Sequence, residues 1–406
     1  MRIAEINMLH YGSTGNIMLS IAEVARKHGN EVRAFSPKFY QRGIKNVFQP
    51  IQKHDYFGTR FENLLHLRLA QMTGFLGCFS LFGMHELLRK LKAFKPDIIH
   101  LHNLHNWTIN FPMLTRYIKK HKIKVIWTLH DCWTFTGQCP HYAMIGCEKW
   151  KNHCHDCPQC RDYPKTFVDR SNKMYDLKRK WFTGMDAILV TPSQWLADQV
   201  TQSFLKDYSV KVINNGIDLD VFHPAASDFR KQYGCEGKKI VLGVSMDWDV
   251  RKGLDVFVNL AARLPEDYQI VLVGGSEQSE RLLPVNVISI RRTQDQHELA
   301  EIYSAADVFV NTTREDTFPT VNIESLACGT PVITFETGGS PEIIDKTCGM
   351  VVSCNNVDAL EAAIRHVCEE RPFSQEACLG RAKRYDKNDK FQEYVDLYHE
   401  MMKREE

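Results

Sequence analysis

Short apolar runs alternate along the chain with stretches whose apolar positions recur every three or four residues. Residues 2–8 read as a strand, His10-Tyr11-Gly12-Ser13-Thr14-Gly15-Asn16 as a turn, and 17–27 as a helix striped by Ile17, Ile21, Val24 and Ala25. Gly29 suits the helix stop, and 31–36 is the next strand. Further strands are predicted at 96–102, 124–130, 187–191 and 210–213. The second half repeats the scheme, with strands at 239–245, 269–273, 287–290, 307–311, 331–335 and 350–352. Helices are predicted there near 253–264, 296–305, 319–327 and 341–344. Strands separated by helices imply parallel sheets covered on both faces. The pattern therefore predicts an α/β chain of two doubly wound, Rossmann-like domains facing a central cleft. Their bounds are 1–215, with a Cys-rich insertion at 132–160, and 216–387; the seam is the turn-rich Asn214-Asn215-Gly216-Ile217-Asp218. A last helix in 388–406, striped by Phe391, Tyr394, Leu397 and Tyr398, is expected to pack back on the first domain.

Composition narrows the class. With 406 residues, 44% hydrophobic and 25% charged, the chain is of ordinary globular make-up and long enough for two or three cores. Disordered, collagen-like and polytopic membrane classes are excluded, and a formal net charge of +2 advertises no nucleic-acid partner. No apolar run is long enough to span a bilayer, and the first residues lack a secretory layout. A cytoplasmic location follows as an expectation, with the thirteen cysteines mostly reduced.

In open parallel sheets ligands bind beyond the carboxyl ends of the strands. Two groups of residues there carry candidate chemistry. Asp316-Thr317-Phe318-Pro319-Thr320-Val321-Asn322-Ile323-Glu324 follows a strand, with Pro319 placed for a first helical turn. Helix starts offer unpaired N–H groups to an anion, and carboxylates at the lip can accept bonds from sugar hydroxyls. Asp249-Val250-Arg251-Lys252-Gly253 follows another strand and opens a helix. Cations there oppose the macrodipole but make sense beside a diphosphate. The plainer alternatives are an N-capping Asp316, a surface Glu324, and loop pairs of Arg251 and Lys252 with Asp247 or Asp249. Ala327-Cys328-Gly329-Thr330-Pro331-Val332 and Gly338-Gly339-Ser340-Pro341-Glu342 add glycines that let backbone approach a ligand.

Taken together, these motifs resemble glycosyltransferase family 4, the retaining, nucleotide-sugar-dependent enzymes of the GT-B architecture. Asn215-Gly216-Ile217-Asp218 with Phe222, Pro192-Ser193 and Gly12-Ser13-Thr14-Gly15 extend the likeness over nearly the whole chain. The resemblance implies roles. Asp316 would hold the donor sugar, Glu324 the ribose, and Lys252 the donor diphosphate as charge develops on it. Backbone groups of Thr317, Phe318 and Thr320 would support sugar and phosphate, and Gly15 and Asn16 would reach the same phosphates from the first domain. His130, ending a strand, resembles the family's histidine near the reacting carbon, with Asp131 orienting it; a satisfied strand-end histidine is the plainer reading. His102, Asn103, Asp131 and Trp133 are expected on the acceptor side. Two departures stand out: the first acid is Asp316 where the family usually has Glu, and the usual arginine after the second domain's first strand is missing, with Arg251 its expected substitute. No catalytic metal is expected.

The reading is thus a retaining glycosyltransferase using a nucleotide diphosphate sugar, UDP-linked first and GDP-linked next. Its acceptor would be a saccharide or lipid-linked oligosaccharide of surface polysaccharide biosynthesis. An epimerase or hydrolase of the same fold, or a non-catalytic sugar-nucleotide scaffold, are the alternatives.

Six cysteines fall between Cys132 and Cys160. Cys139, Cys147, Cys154 and Cys157 could ligate a structural zinc, with Cys160 as spare and His141, His153 or His155 as substitutes; ordinary reduced thiols are the alternative. Residues 57–94 are apolar and basic by turns. Leu87, Leu88 and Leu91 with Arg89, Lys90 and Lys92 fit a basic helix on the inner membrane face, or simply a core-facing helix.

Overall fold

The computed structural model describes residues 1–38, 54–105 and 107–404. They form two compact units, residues 1–214 with 390–406, and residues 215–389.

The first unit runs β1 (Arg2–Ile6), α1 (Gly12–Lys27), β2 (Glu31–Pro37), β3 (His54–Phe57), α2 (Arg60–Thr73), α3 (Phe82–Phe94), β4 (Ile98–Leu101), α4 (Phe111–His121), β5 (Lys124–Thr128), α5 (Ser171–Phe182), β6 (Ala187–Thr191), α6 (Gln194–Thr201) and β7 (Ser209–Val212). All neighbours in the order β3-β2-β1-β4-β5-β6-β7 are parallel. The order reverses between β1 and β4, so the carboxyl ends of these two strands flank a switch point. Ile3, Val32, Ile98, Ile126 and Ile188 point to one face of the sheet, where α1 supplies Ile17, Ile21 and Val24. Ile6, Phe35, Ile99, Leu101 and Trp127 point to the other.

The second unit runs α7 (Phe229–Gln232), β8 (Lys239–Val244), α8 (Leu254–Arg263), β9 (Tyr268–Val273), α9 (Glu277–Glu280), β10 (Val287–Ile290), α10 (Gln296–Ala305), β11 (Val308–Asn311), α11 (Thr320–Ala327), β12 (Val332–Phe335), α12 (Ser340–Ile343), β13 (Gly349–Val352), α13 (Val357–Glu370) and α14 (Gln375–Ala382). Its parallel sheet is ordered β10-β9-β8-β11-β12-β13, with the switch between β8 and β11. Both units are doubly wound parallel sheets, as the sequence pattern predicts.

Three local expectations change. Helix α1 starts at Gly12, so most of the segment read as a turn is helical. Gly15 lies inside it, where a Cβ would come within 2.6 Å of the His10 carbonyl carbon. Its glycine is explained by packing of the helix start on the preceding backbone. Pro319 is the N-cap of α11 and not its first residue.

The last helix, α15 (Lys387–Lys403), contributes residues 390–404 to the first unit. Phe391, Tyr394, Val395, Leu397, Tyr398 and Met401 join the Ile-rich face that α1 covers. Lys124 Nζ donates to the Met401 carbonyl at 2.7 Å. The helix thus fills one layer of a domain whose other elements lie more than 170 residues earlier. Leu397, 4% exposed, is well placed to measure this layer. Leu397→Ala is expected to cost about 2–5 kcal/mol, read by urea denaturation and by faster amide exchange in β1 and β5; unchanged exchange there would contradict the packing.

Candidate active site

Chemistry-bearing side chains of the second unit gather at its switch point. The loop after β8 carries Lys252 and the loop after β11 carries Asp316, and because the two strands are neighbours the side chains meet. Lys252 Nζ lies 2.9 Å from Asp316 Oδ2, each side chain about a quarter exposed, at 23% and 25%. Neither plain loop pairing holds for Lys252, although its backbone N–H does bond Asp249 Oδ1 at 2.8 Å. Arg251 stays on the loop, with Asp249 at 4.0 Å.

The backbone around Asp316 is held from two sides. Gly338, at φ +54°, lies where a Cβ would sit 1.7 Å from the Asp316 carbonyl oxygen, so only glycine fits there. Thr337 Oγ1 bonds the Thr313 carbonyl at 2.7 Å. Arg314 ties the same loop to the first turn of α8 through two bonds of 2.8 Å to Asp255. A buried chain of Asn311, Asn322, Ser340 and Thr334, with links of 2.6–2.9 Å, stitches β11, α11 and α12 together behind it. Sequence reasoning missed Arg314 and this chain, since neither has a local spacing that marks it.

Helix α11 begins without a side-chain cap on its first N–H groups. Phe318 N bonds Asp316 Oδ1 at 3.3 Å, so Asp316 organises the loop before the helix and does not cap α11. Glu324, one of the plainer reading's surface residues, is instead drawn inward. Its carboxylate accepts from Thr320 Oγ1 at 3.1 Å and Tyr303 OH at 3.2 Å. Loss of water around the carboxyl pushes it up to about 7, against the pull of those two donors.

In the first unit the strand ends carry histidines. His130, just beyond β5, puts Nε2 3.1 Å from His102 Nδ1. His102 Nε2 in turn lies 2.8 Å from Glu5 Oε2. The Asp131 oxygens take Asn103 Nδ2, His105 Nε2 and Trp133 N, all at 2.9 Å. The bonded His105 holds that carboxyl down at about 2 despite burial. The expected acceptor side is largely interior. His102 and Trp133 are 1% and 2% exposed, Asp131 is buried as well, and only Asn103 of the four reaches partway to the surface. Trp133 packs on Phe111 and Phe182, with Lys178 Nζ 3.3 Å from its ring centroid. Asn16 is exposed on the first turns of α1, beside buried Gly15.

A sequence model described as Glycosyltransferase Family 4 matches residues 14–221, and one described as Glycosyl transferases group 1 matches 226–388. This chain belongs to glycosyltransferase family 4. The transferase is 28% identical over 318 residues to WcaC of Escherichia coli K12, described as a colanic acid biosynthesis glycosyl transferase, covering 75% of each chain. It is 28% identical to the alpha-maltose-1-phosphate synthase of Mycolicibacterium smegmatis over 44% of this chain and 52% of that one. Among solved structures, sucrose-phosphate synthase from Thermosynechococcus elongatus superposes with a TM-score of 0.72 at 18% identity, covering 99% of both chains. HepE of Anabaena in complex with UDP gives 0.70 at 16% identity, over 98% of this chain and all of that one. These likenesses place the glycosyltransferase in the GT-B fold.

The cysteine-rich loop of this transferase does not close on one point. Cys139 and Cys157 are free thiols close enough to influence each other, and Cys154 Sγ accepts from Gly137 N at 3.1 Å. Cys147 and Cys160 are partly exposed. His153 and His155 are occupied by Asp176 and Asp156. Among the described residues, the set of three or more ligand-type atoms lying within 4.8 Å of one another is Glu5, His100 and His102, not a cysteine set.

Proposed function

We propose that this glycosyltransferase moves a sugar, with retention, from a nucleoside diphosphate donor to a hydroxyl of a saccharide or lipid-linked oligosaccharide of a surface polysaccharide. The observation that carries the reading is the Lys252–Asp316 pair at the switch point of the second unit. A partly exposed ion pair of this kind is worth only ~0–1 kcal/mol. A donor can therefore take both partners at little cost, its diphosphate on the ammonium and its sugar hydroxyls on the carboxylate. The uncapped start of α11 adds N–H groups for the phosphate. Glu324 would accept the ribose hydroxyls. The sugar's bond to the diphosphate breaks as the acceptor oxygen attacks the same face, and the acceptor proton passes to the leaving phosphate oxygen. Lys252 stabilises the charge on that leaving group, so no protein base and no catalytic metal is required. UDP is the first choice of nucleotide, supported by the solved complexes of HepE with UDP and UDP-glucose. The polysaccharide assignment is supported by the WcaC likeness.

Peripheral membrane contact finds a different support from the one expected. Leu87 and Leu91 lie in the core, and Lys90 pairs with Glu86 and Asp55, so α3 does not present a basic apolar face. Helix α2 is inside out. It buries Glu62, Asn63 and His66, each with a partner: Glu62 accepts from Phe82 N and Gly83 N, Asn63 Nδ2 donates to the Lys38 carbonyl, and His66 bonds Ser80. Its outer stripe is Phe61, Leu64, Leu65 and Met72, 48–77% exposed, with Arg60 and Arg68 among them and Phe82 nearby in sequence at the start of α3. An outward apolar stripe flanked by arginines suits an anionic lipid surface. Among the described residues no helix is long and apolar enough to cross a membrane.

Calorimetric titration tests the donor reading. UDP is expected to bind more tightly than GDP or ADP, and Lys252→Ala to weaken it at least tenfold with the fold intact. Because the carboxylate form of Glu324 is the better acceptor, UDP affinity should fall up to about tenfold from pH 8 to pH 6; Glu324→Gln should flatten that slope. Equal UDP binding by wild type and Lys252→Ala would refute the site. In sedimentation with vesicles, wild type is expected to pellet with phosphatidylglycerol-containing but not pure phosphatidylcholine vesicles. Phe61→Ser/Leu65→Ser should stay in solution, and equal pelleting of both proteins would end the membrane proposal. Structural zinc requires the four thiols to draw together; one equivalent of zinc in the purified chain, lost in Cys154→Ser, is the expected result, and a metal-free, fully folded chain the contrary one.

A further inference from the structure

Glu5 is a carboxylate inside a strand of isoleucines and alanine, with no exposure at all. An unpaired charge there would be strongly disfavoured, so each of its oxygens must be occupied. Tyr398 OH donates to Oε1 at 2.7 Å, and His102 Nε2 lies 2.8 Å from Oε2. His100 Nδ1 lies within 3.2 Å of both oxygens and 2.7 Å from Tyr398 OH, while its Nε2 meets Thr128 Oγ1 at 2.8 Å. Tyr394 OH completes the group through Thr128 at 3.3 Å. Every ligand-type atom of the Glu5, His100 and His102 set thus has a protein partner, and the cluster reads as a hydrogen-bond chain.

The direction of the chain follows from donor and acceptor rules. Burial keeps both His102 and His130 neutral, pushing them down to about 4 and about 3. A neutral imidazole has one N–H and one lone pair. The carboxylate of Glu5 can only accept, so His102 must carry its proton on Nε2. Its Nδ1 is then a lone pair, and the contact at 3.1 Å requires His130 to donate from Nε2. The proton on His130 is thereby assigned to Nε2, and Nδ1 becomes its basic nitrogen. The two rings are stacked 5.5 Å apart with an interplanar angle of 16°, which limits rotation that could exchange the nitrogens.

We infer that Glu5 and His102 are positioning residues for this transferase, which lock His130 in a single neutral tautomer and so present it as a hydrogen-bond acceptor at the carboxyl end of β5. Any use of that acceptor in catalysis rests on the function proposed above; the locked tautomer does not. Glu5 was absent from the sequence reading, and His102 was placed on the acceptor side. The lone acid of β1 and the spacing His100-x-His102 were the available signals.

The test reads the tautomer directly in the full chain without ligand. Histidines are labelled with 15N, and the His102 and His130 patterns are assigned from His102→Gln and His130→Gln. In wild type both are expected as neutral Nε2–H forms from pH 8 to pH 5.5. His102→Gln can still donate to Glu5 and accept from His130, so it should keep the His130 pattern. His102→Phe retains a stacked ring but no nitrogen, and there His130 should become a mixture of tautomers. With UDP-glucose as probe, His102→Phe should lower kcat for UDP release more than tenfold at little change in KM, and His102→Gln less than threefold. A wild-type His130 protonated on Nδ1 overturns the inference, as does a His130 pattern unaltered by His102→Phe. If the Phe variant does not fold, the wild-type spectrum decides alone. A chain that shows the expected tautomers yet fails to bind UDP would count against the donor reading and not against the lock.

Discussion

Two parallel strands lying side by side, β8 and β11, set where the chemistry of the second unit can be. Their connections leave toward opposite faces of the sheet, so the loops at their carboxyl ends part around a gap. Lys252 and Asp316 hold each other across it. Everything nearby keeps these loops in register: the Arg314 fork on Asp255, the close approach of Gly338, and the buried amide and hydroxyl chain beneath. The site is rigid in backbone and loosely engaged in charge. That combination suits a group that must exchange one anionic partner for another during turnover.

The first unit meets the same geometric situation with a different solution. Its switch point, between β1 and β4, carries no exposed ion pair among the residues described above. It has a sunken carboxylate, Glu5, whose influence reaches outward through the His102 imidazole to His130. A charge is costly in such a place, and the cost is met by donors from β4 and from the last helix. Electrostatics acts at contact in one unit and through a relay in the other.

How far the primary structure could be read depended on whether the information was local. Strand and helix rhythm located the parallel strands of both sheets apart from β3, because sheet burial imposes apolar runs that any window reveals. Lys252, Asp316 and Glu324 were legible because a family motif places them in order after strands. The interior fate of His102, Asp131 and Trp133 was not. A histidine at a strand end looks the same whether its partner is a ligand or a glutamate on the adjacent strand, and only pairing of β1 with β4 brings Glu5 to it. Which side of helix α2 faces inward was illegible for a related reason. Its apolar stripe has proper spacing, but the partners of Glu62 and His66 come from the start of α3 and the turn before it, so the polar side turned inward. Glu324 was taken for a ribose acceptor or a surface residue; its raised proton affinity arises from burial by the surrounding packing, against the pull of Thr320 and Tyr303, which no motif encodes.

The seating of α15 has a consequence for how the protein is made. Glu5 leaves a ribosome 393 residues ahead of Tyr398, yet they are bonded at 2.7 Å. Until Tyr398 is made, the Ile-rich layer of the nascent amino-terminal sheet is covered by α1 without the last helix, and its buried acid is one donor short. Its final consolidation therefore waits on synthesis of the entire second unit. A message truncated before the final helix would yield two recognisable halves, of which the earlier-born one is the less finished.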